Sequence, residues 1–136
     1  MKNIYFLDTS YILALEIRNE GVHQQVLKNW ADLAKTKPFL VTTTYIFDEV
    51  VTFLNSRNFH YKAVEVGNRL LESNDIDLVE IGKNLFNQGW EYFQKHQDKS
   101  YSLTDCLSFI LMKERKIVTA LTLDNHFLQA GFETLP

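Results

Sequence analysis

Short apolar runs alternate along the chain with longer segments that have helical periodicity. Runs rich in β-branched and aromatic residues predict strands at residues 3–7, 39–42, 76–81 and 117–122, with an edge strand at 132–135. Periodic apolar positions predict helices at residues 11–18, 22–35, 43–55, 60–73, 82–97 and 102–116, and a turn or short helix at 124–129. This alternation predicts an α/β fold with a central, mostly parallel sheet and helices on both faces.

Two of the predicted helices have apolar stripes that we expect to face the core. In the helix at 60–73, the stripe contains Val64, Leu70 and Leu71. In the helix at 82–97, an apolar stripe recurs at spacings of one, three and four residues and comprises Leu85, Phe86, Trp90 and Phe93.

Length and composition indicate one folded domain spanning residues 1–136. Apolar residues make up 46% of the chain and charged residues 23%, which is typical of a globular protein and not of a disordered one. The five glycines and two prolines are scattered, so no interdomain linker is predicted.

The cysteine content and the N-terminus predict a cytoplasmic protein. Cys106 is the only cysteine, so no disulfide can form within the chain, and its apolar neighbours indicate a buried, inert thiol. The apolar run before Asp8 is too short for a signal peptide, and no apolar segment is long enough to span a membrane.

The net charge of −3 argues against a protein that simply coats nucleic acid, since such proteins are usually basic. It does not exclude a nuclease, because carboxylates that bind a metal ion are counted here as uncompensated charge. It does require a cation, or a basic partner, before phosphate can approach.

Two acids directly follow predicted strands. Asp8 comes after the strand at 3–7, and Asp124 follows the strand at 117–122. In open parallel sheets, ligands bind beyond the carboxyl ends of the strands. Each acid also has a simpler interpretation: Asp8 as a helix N-cap, with Thr9 and Ser10 as orienting groups or caps, and Asp124 as a turn residue.

Helical geometry separates the adjacent acids Asp48 and Glu49. At about 100° per residue, Asp48 lies nearly opposite the apolar face and is expected at the surface. Glu49 lies at the edge of that face, where a carboxylate needs a partner or an ion. The alternative for Glu49 is a side chain that bends out to water. The apolar face consists of Ile46, Phe47, Val50, Phe53 and Leu54.

Asp105 lies three residues after Ser102, at the start of a helix that is apolar on nearly all sides. A capping box is one interpretation of this spacing. A metal ligand is the other, because the helix is expected to be buried and its N-terminus favours negative charge. The two roles are compatible.

A cluster of Asp8, Glu49, Asp105 and Asp124 would be poor as a purely structural device, because like charges at close range repel and raise at least one pKa. Mg²⁺ and Mn²⁺ prefer oxygen ligands, and such an ion can promote attack of water on a phosphodiester. The residues therefore favour a divalent-metal site for phosphodiester hydrolysis.

Other chemistries lack their signatures. The histidines show no zinc-binding spacing, and no glycine-rich phosphate loop is present. Ser10 stands where an aspartyl phosphatase needs a second acid, and no serine lies in a nucleophile motif. His126, beside Asp124, is expected to cap a helix or face solvent rather than contact substrate.

Four short motifs, in this order, resemble those of the PIN-domain family, especially its VapC-like toxin ribonucleases. They are FLDTS at 6–10, TTYIFDEV at 43–50, YSLTDC at 101–106 and TALTLDNHF at 119–127. The resemblance covers essentially the whole chain. It implies a PIN-like three-layer α/β/α fold and an acidic Mg²⁺ or Mn²⁺ site formed by Asp8, Glu49, Asp105 and Asp124.

The resemblance also implies endonucleolytic cleavage of RNA, a cognate antitoxin protein as partner and a homodimer. Asn125 stands where close relatives are expected to have a basic residue, which puts a local phosphate contact in question but not the metal site. The alternative is a catalytically inactive PIN-like module that binds RNA or a protein.

Overall fold

The computed structural model describes residues 3–18 and 21–136. Within these residues the strands are β1 (Ile4–Leu7), β2 (Phe39–Thr43), β3 (Ile76–Val79), β4 (Thr119–Leu121) and β5 (Glu133–Leu135). The helices are α1 (Thr9–Glu16), α2 (His23–Ala34), α3 (Thr44–Ser56), α4 (His60–Glu72), α5 (Lys83–Lys95), α6 (Leu103–Arg115) and α7 (His126–Gln129). The predicted elements are all present, with ends that differ by a few residues.

The strands form one parallel sheet in the order β3-β2-β1-β4-β5. The chain therefore moves from the centre to one edge through β2 and β3, returns to β4, and ends at the other edge with β5. The predicted edge strand is confirmed. The carboxyl ends of all five strands share one edge of the sheet because every pairing is parallel.

The helices cover both faces of the sheet. Because crossovers between parallel strands are right-handed, connections that move toward the β3 edge and connections that move toward the β5 edge place their helices on opposite faces of the sheet. Accordingly, α1 packs on α2 and α3, and α3 packs on α4, while α5 packs on α6 and α6 on α7. The predicted three-layer α/β/α fold is confirmed.

The core lies between the sheet and these two helical layers. Its largest fully buried side chains include Phe6 of β1, Tyr11 of α1, Ile46 of α3 and Phe109 of α6. Helix α6 is buried on most of its circumference, as its apolar sequence predicts. Cys106 is buried within it, as predicted, and burial raises the pKa of its thiol to about 11.

The predicted orientation of two apolar stripes is wrong. In α4, Leu70 is buried, but Val64 and Leu71 are exposed by 48% and 61%. In α5, Trp90 is 47% exposed and stacks on Phe93 at the surface, while the residue buried against α6 is a glycine. Periodicity shows which residues of a helix share an apolar face. It does not show whether that face packs on the sheet or is exposed to solvent.

No helix in the described part of the chain combines the length and apolar character that a membrane crossing requires.

The close packing of α5 on α6 depends on Gly89. A Cβ atom at position 89 would overlap the side chain of Leu107 and lie 3.5 Å from its Cα atom. By contrast, a Cβ at Gly67 of α4 would meet the ring of Phe47 at 3.2 Å, and that ring is only partly buried.

We expect Gly89→Ala to lower the free energy of unfolding by about 1–2 kcal/mol, because overpacking outweighs the gain in helix propensity of about 1 kcal/mol. Urea denaturation measures this change. Gly67→Ala is the matched control and should be neutral or stabilising. Leu107→Ala should cost less in the Gly89→Ala background than in the native chain; equal costs would show that the two side chains do not collide.

Candidate functional site

The strand order reverses its direction at the centre of the sheet, between β1 and β4. At such a switch point the connections leave the two strands on opposite faces, and a crevice opens at their carboxyl ends. Asp8 follows β1 directly, and Asp124 follows β4 within three residues. The N-termini of α3 and α6 reach the same edge, because these helices run antiparallel to the strands.

Asp8 is held in the crevice by two hydroxyl groups. Its Oδ2 atom accepts hydrogen bonds from Thr122 Oγ1 at 2.7 Å and from Ser10 Oγ at 3.0 Å. Asp8 occupies the N-cap position of α1, as one interpretation of the sequence expects, but its side chain makes no capping hydrogen bond. The register pairs Leu7 with Leu121, which places Asp8 and Thr122 at equivalent positions of neighbouring strands.

The environment of Asp8 disfavours its charged form. The side chain is 6% exposed, and burial raises its pKa from 3.8 to about 6. The hydrogen bonds from Thr122 and Ser10 lower this pKa, while the nearby charge of Asp105 raises it. Desolvation is the largest of these effects.

Asp105 forms the capping box that is one interpretation of its sequence, and it also lies beside His126. Ser102 accepts the N–H of Asp105 at 3.0 Å, and the Oδ2 atom of Asp105 accepts the N–H of Ser102 at 3.0 Å, which completes a capping box. The same Oδ2 atom lies 2.8 Å from Nδ1 of His126. Asp105 is buried, and its carboxylate faces the loop after β4.

Asp124 also has the turn chemistry that its sequence indicates. Its N–H donates to Thr122 Oγ1 at 3.0 Å, and its Oδ1 atom accepts the N–H of His126 at 2.9 Å. The Nδ1 atom of His126 lies 3.3 Å from the same Oδ1 atom. The turn therefore fixes the carboxylate near Asp105 rather than directing it to solvent.

Among the described residues, Asp105, Asp124 and His126 offer a group of ligand atoms that lie within 4.8 Å of one another. Asp8 lies next to this group through Thr122, which bonds both Asp8 and Asp124. Carboxylate oxygens are the ligands that Mg²⁺ and Mn²⁺ prefer in proteins. The donor set fits a divalent cation.

Among the described residues, Glu49 is connected to the site only through Thr9, the residue that follows Asp8. Its Oε1 atom accepts a hydrogen bond from Thr9 Oγ1 at 2.6 Å, and Thr9 follows Asp8 in the chain. Glu49 lines an open depression of about 560 Å³ but lies outside the 4.8 Å group described above. Asp48 is exposed and bonds Thr52 within its own helix, in keeping with the surface position expected for it.

Sequence reasoning missed two residues of this site. Thr122 could have been found from the strand register, because it is a polar residue at the end of β4 and lies beside Asp8 at the end of β1. His126 was expected to cap a helix or to face solvent, and that expectation is wrong: its imidazole lies between two carboxylates and packs edge-on against Tyr101, with ring centres 5.4 Å apart.

The chain matches the PIN domain over residues 5–133. It is 31% identical over 127 residues to "23S rRNA-specific endonuclease VapC20" of Mycobacterium tuberculosis, covering 93% of this chain and 94% of that protein.

Two solved structures share the fold. Mycobacterium tuberculosis VapC20, described as a toxin that cleaves the sarcin–ricin loop, has a TM-score of 0.85 and 30% identity, with 96% of both chains covered. FitAcB from Neisseria gonorrhoeae has a TM-score of 0.65 and 17% identity, with 98% of this chain and 96% of that chain covered, and supports the fold alone. The extent of the match and the parallel sheet with its acidic switch point together place this chain in the PIN-domain family.

Proposed function

We propose that this protein is a divalent-metal-dependent endoribonuclease and the toxin of a toxin–antitoxin pair. The observation that supports the proposal is the group formed by Asp105, Asp124 and His126 at the crevice between β1 and β4, close to the buried carboxylate of Asp8. Its similarity to an rRNA endonuclease makes structured ribosomal RNA the first substrate to test.

In this proposal Asp8, Glu49, Asp105 and Asp124 hold Mg²⁺ or Mn²⁺. A divalent cation, when bound there, neutralises charge that develops on the phosphodiester and makes an attacking water easier to deprotonate. Thr122 and Ser10 fix the rotamer of Asp8 through its Oδ2 atom, and Thr9 orients Glu49. These hydroxyl groups keep the acidic side chains in place without neutralising them.

The electrostatics favour an enzyme over a PIN-like module that only binds RNA or protein. A buried carboxylate such as Asp8, close to the like charge of Asp105, destabilises the folded protein unless a cation compensates it. RNA is itself an anion, so this crevice would repel a backbone phosphate in the absence of a cation. A binding module has no need for such an arrangement.

Exposed apolar side chains support protein partners. Phe86, Trp90 and Phe93 of α5 and Leu71 of α4 are each at least 36% exposed. Apolar groups that recur on one helix face are typical of surfaces that another chain covers. We therefore propose a cognate antitoxin as partner, and a second copy of this chain as a further one.

We expect the purified protein to cleave ribosomal RNA in Mn²⁺ or Mg²⁺ and to lose this activity in excess chelator. Glu49→Gln should lower the cleavage rate at least about 100-fold, equivalent to about 2.7 kcal/mol of transition-state stabilisation. Asp48→Asn is the matched control, since it changes the adjacent exposed acid and should cleave at the native rate. Cleavage that survives chelation, or equal rates for the two variants, would contradict the proposal.

The pH dependence of stability tests the buried charge of Asp8. Because its pKa is about 6 in the folded protein and 3.8 ordinarily, the folded state holds this proton more tightly than the unfolded chain does. The contribution of Asp8 to stability is therefore greatest below pH 4, falls as the pH rises to 6, and stays low above it. The difference amounts to about 2–3 kcal/mol by linkage.

Asp8→Asn keeps the shape and the acceptor for Thr122 but has no charge to bury. In chelator at pH 7.5, we expect this variant to be about 2 kcal/mol more stable than the native chain in urea denaturation, with the difference disappearing near pH 4. Added Mn²⁺ should stabilise the native chain and leave the variant unchanged. Equal stabilities of the native chain and Asp8→Asn in chelator at pH 7.5 would show that burial of the Asp8 charge does not destabilise the folded protein.

A further inference from the structure

We propose that His126 is a positioning residue for the metal site: its imidazole donates a hydrogen bond to Asp105, its backbone N–H donates to Asp124, and the remaining oxygen of each carboxylate is thereby directed toward the cation. This inference rests on the proposed function, because it concerns the same site. It assigns a role to a residue whose sequence position indicates only a helix cap or a solvated side chain.

The distances fix the direction of the hydrogen bond. Nδ1 of His126 lies 2.8 Å from Oδ2 of Asp105 and 3.3 Å from Oδ1 of Asp124. Ionised carboxylates only accept hydrogen bonds, so Nδ1 carries the hydrogen. The imidazole N–H thus donates to Asp105 and lies beside the carboxylate of Asp124.

The donors converge on one oxygen of each carboxylate. Asp105 receives the Ser102 N–H and the His126 imidazole on the same atom, Oδ2. On Asp124, Oδ1 accepts the backbone N–H of His126 and lies 3.3 Å from its imidazole Nδ1. In the part of the chain that the structure describes, no hydrogen bond ends on the other oxygen of either side chain. Those two oxygens remain for a cation.

The imidazole itself is held in place. Its ring packs edge-on against Tyr101 at an interplanar angle of 78°, and Tyr101 is 6% exposed. The next residue, Phe127, is fully buried against Phe6 and Phe109. Because the ring and its backbone are both anchored in the core, the N–H direction is set before any cation binds.

Outer residues that hydrogen-bond metal-binding side chains typically contribute about 10- to 100-fold to metal affinity. Without the imidazole N–H, the carboxylate of Asp105 would lose a donor and would face Asp124 with no hydrogen between the two charges. Nδ1 cannot bind the cation directly while its hydrogen is given to Asp105, so a direct ligand role for His126 would need Nε2. A positioning role and a ligand role can be told apart by metal preference.

The experiment is calorimetric titration of Mn²⁺ and Mg²⁺ into the full-length protein and its variants, without RNA. His126→Phe keeps the ring against Tyr101 but has no hydrogen to donate, and His126→Asn keeps an N–H donor near the position of Nδ1. We expect the Kd of both ions to rise about 10- to 100-fold in His126→Phe and to change less than about threefold in His126→Asn. His60→Phe is the control: this exposed histidine contacts Asn55, and its loss should leave both Kd values unchanged.

The outcomes are separable. If the native protein binds neither ion, the proposed function fails. If it binds them and His126→Phe binds equally well, only the positioning role is overturned. Loss of Mn²⁺ binding with Mg²⁺ binding retained, together with a nitrogen coupling to Mn²⁺ in electron paramagnetic resonance, would make His126 a direct ligand and would also overturn it. Should His126→Phe not fold, His126→Leu makes the same comparison.

Discussion

The hydrogen bond from Thr122 to Asp8 is the contact on which the candidate site depends. It links the carboxyl ends of β1 and β4, where the connections leave on opposite faces of the sheet. It forms because the parallel register places Thr122 beside Asp8, although the two residues are 114 positions apart in the chain. It fixes a carboxylate at the bottom of the crevice and, through the same hydroxyl, the start of the turn that carries Asp124. A shift of one residue in this register would turn Asp8 to the opposite face of the sheet.

The hydrogen bonds to Asp8 do not compensate its burial. They come from neutral hydroxyl groups and lower its pKa, yet burial still raises it to about 6. Among the described residues, the salt bridges of lysine and arginine lie elsewhere, as in the Arg69–Glu16 pair, and His126 is the basic side chain beside Asp105 and Asp124. Asp8 is therefore oriented by neutral hydroxyl groups, and its buried charge is left uncompensated.

Much of this arrangement follows from sequence periodicity and strand order. The strands, the parallel sheet and the positions of Asp8 and Asp124 after β1 and β4 follow from local patterns, and the helical phase separates Glu49 from Asp48 correctly. The role of His126 does not follow, because its partner Asp105 lies 21 residues away on another element. Trp90 and Leu71 illustrate a second limit: an apolar face that a partner chain would cover has the same periodicity as one that packs on the sheet.

The parallel sheet has a consequence for folding. Every strand pair in it joins segments that are separated in the chain by at least one helix, and the pairing of β4 with β5 brings the backbone N–H of Thr122 to the carbonyl of Leu135. Non-local pairing of this kind slows folding, because the chain loses entropy in closing each loop before the contacts form. The acidic residues therefore lie apart in the unfolded chain, and the candidate site is assembled by the same slow pairings that complete the sheet.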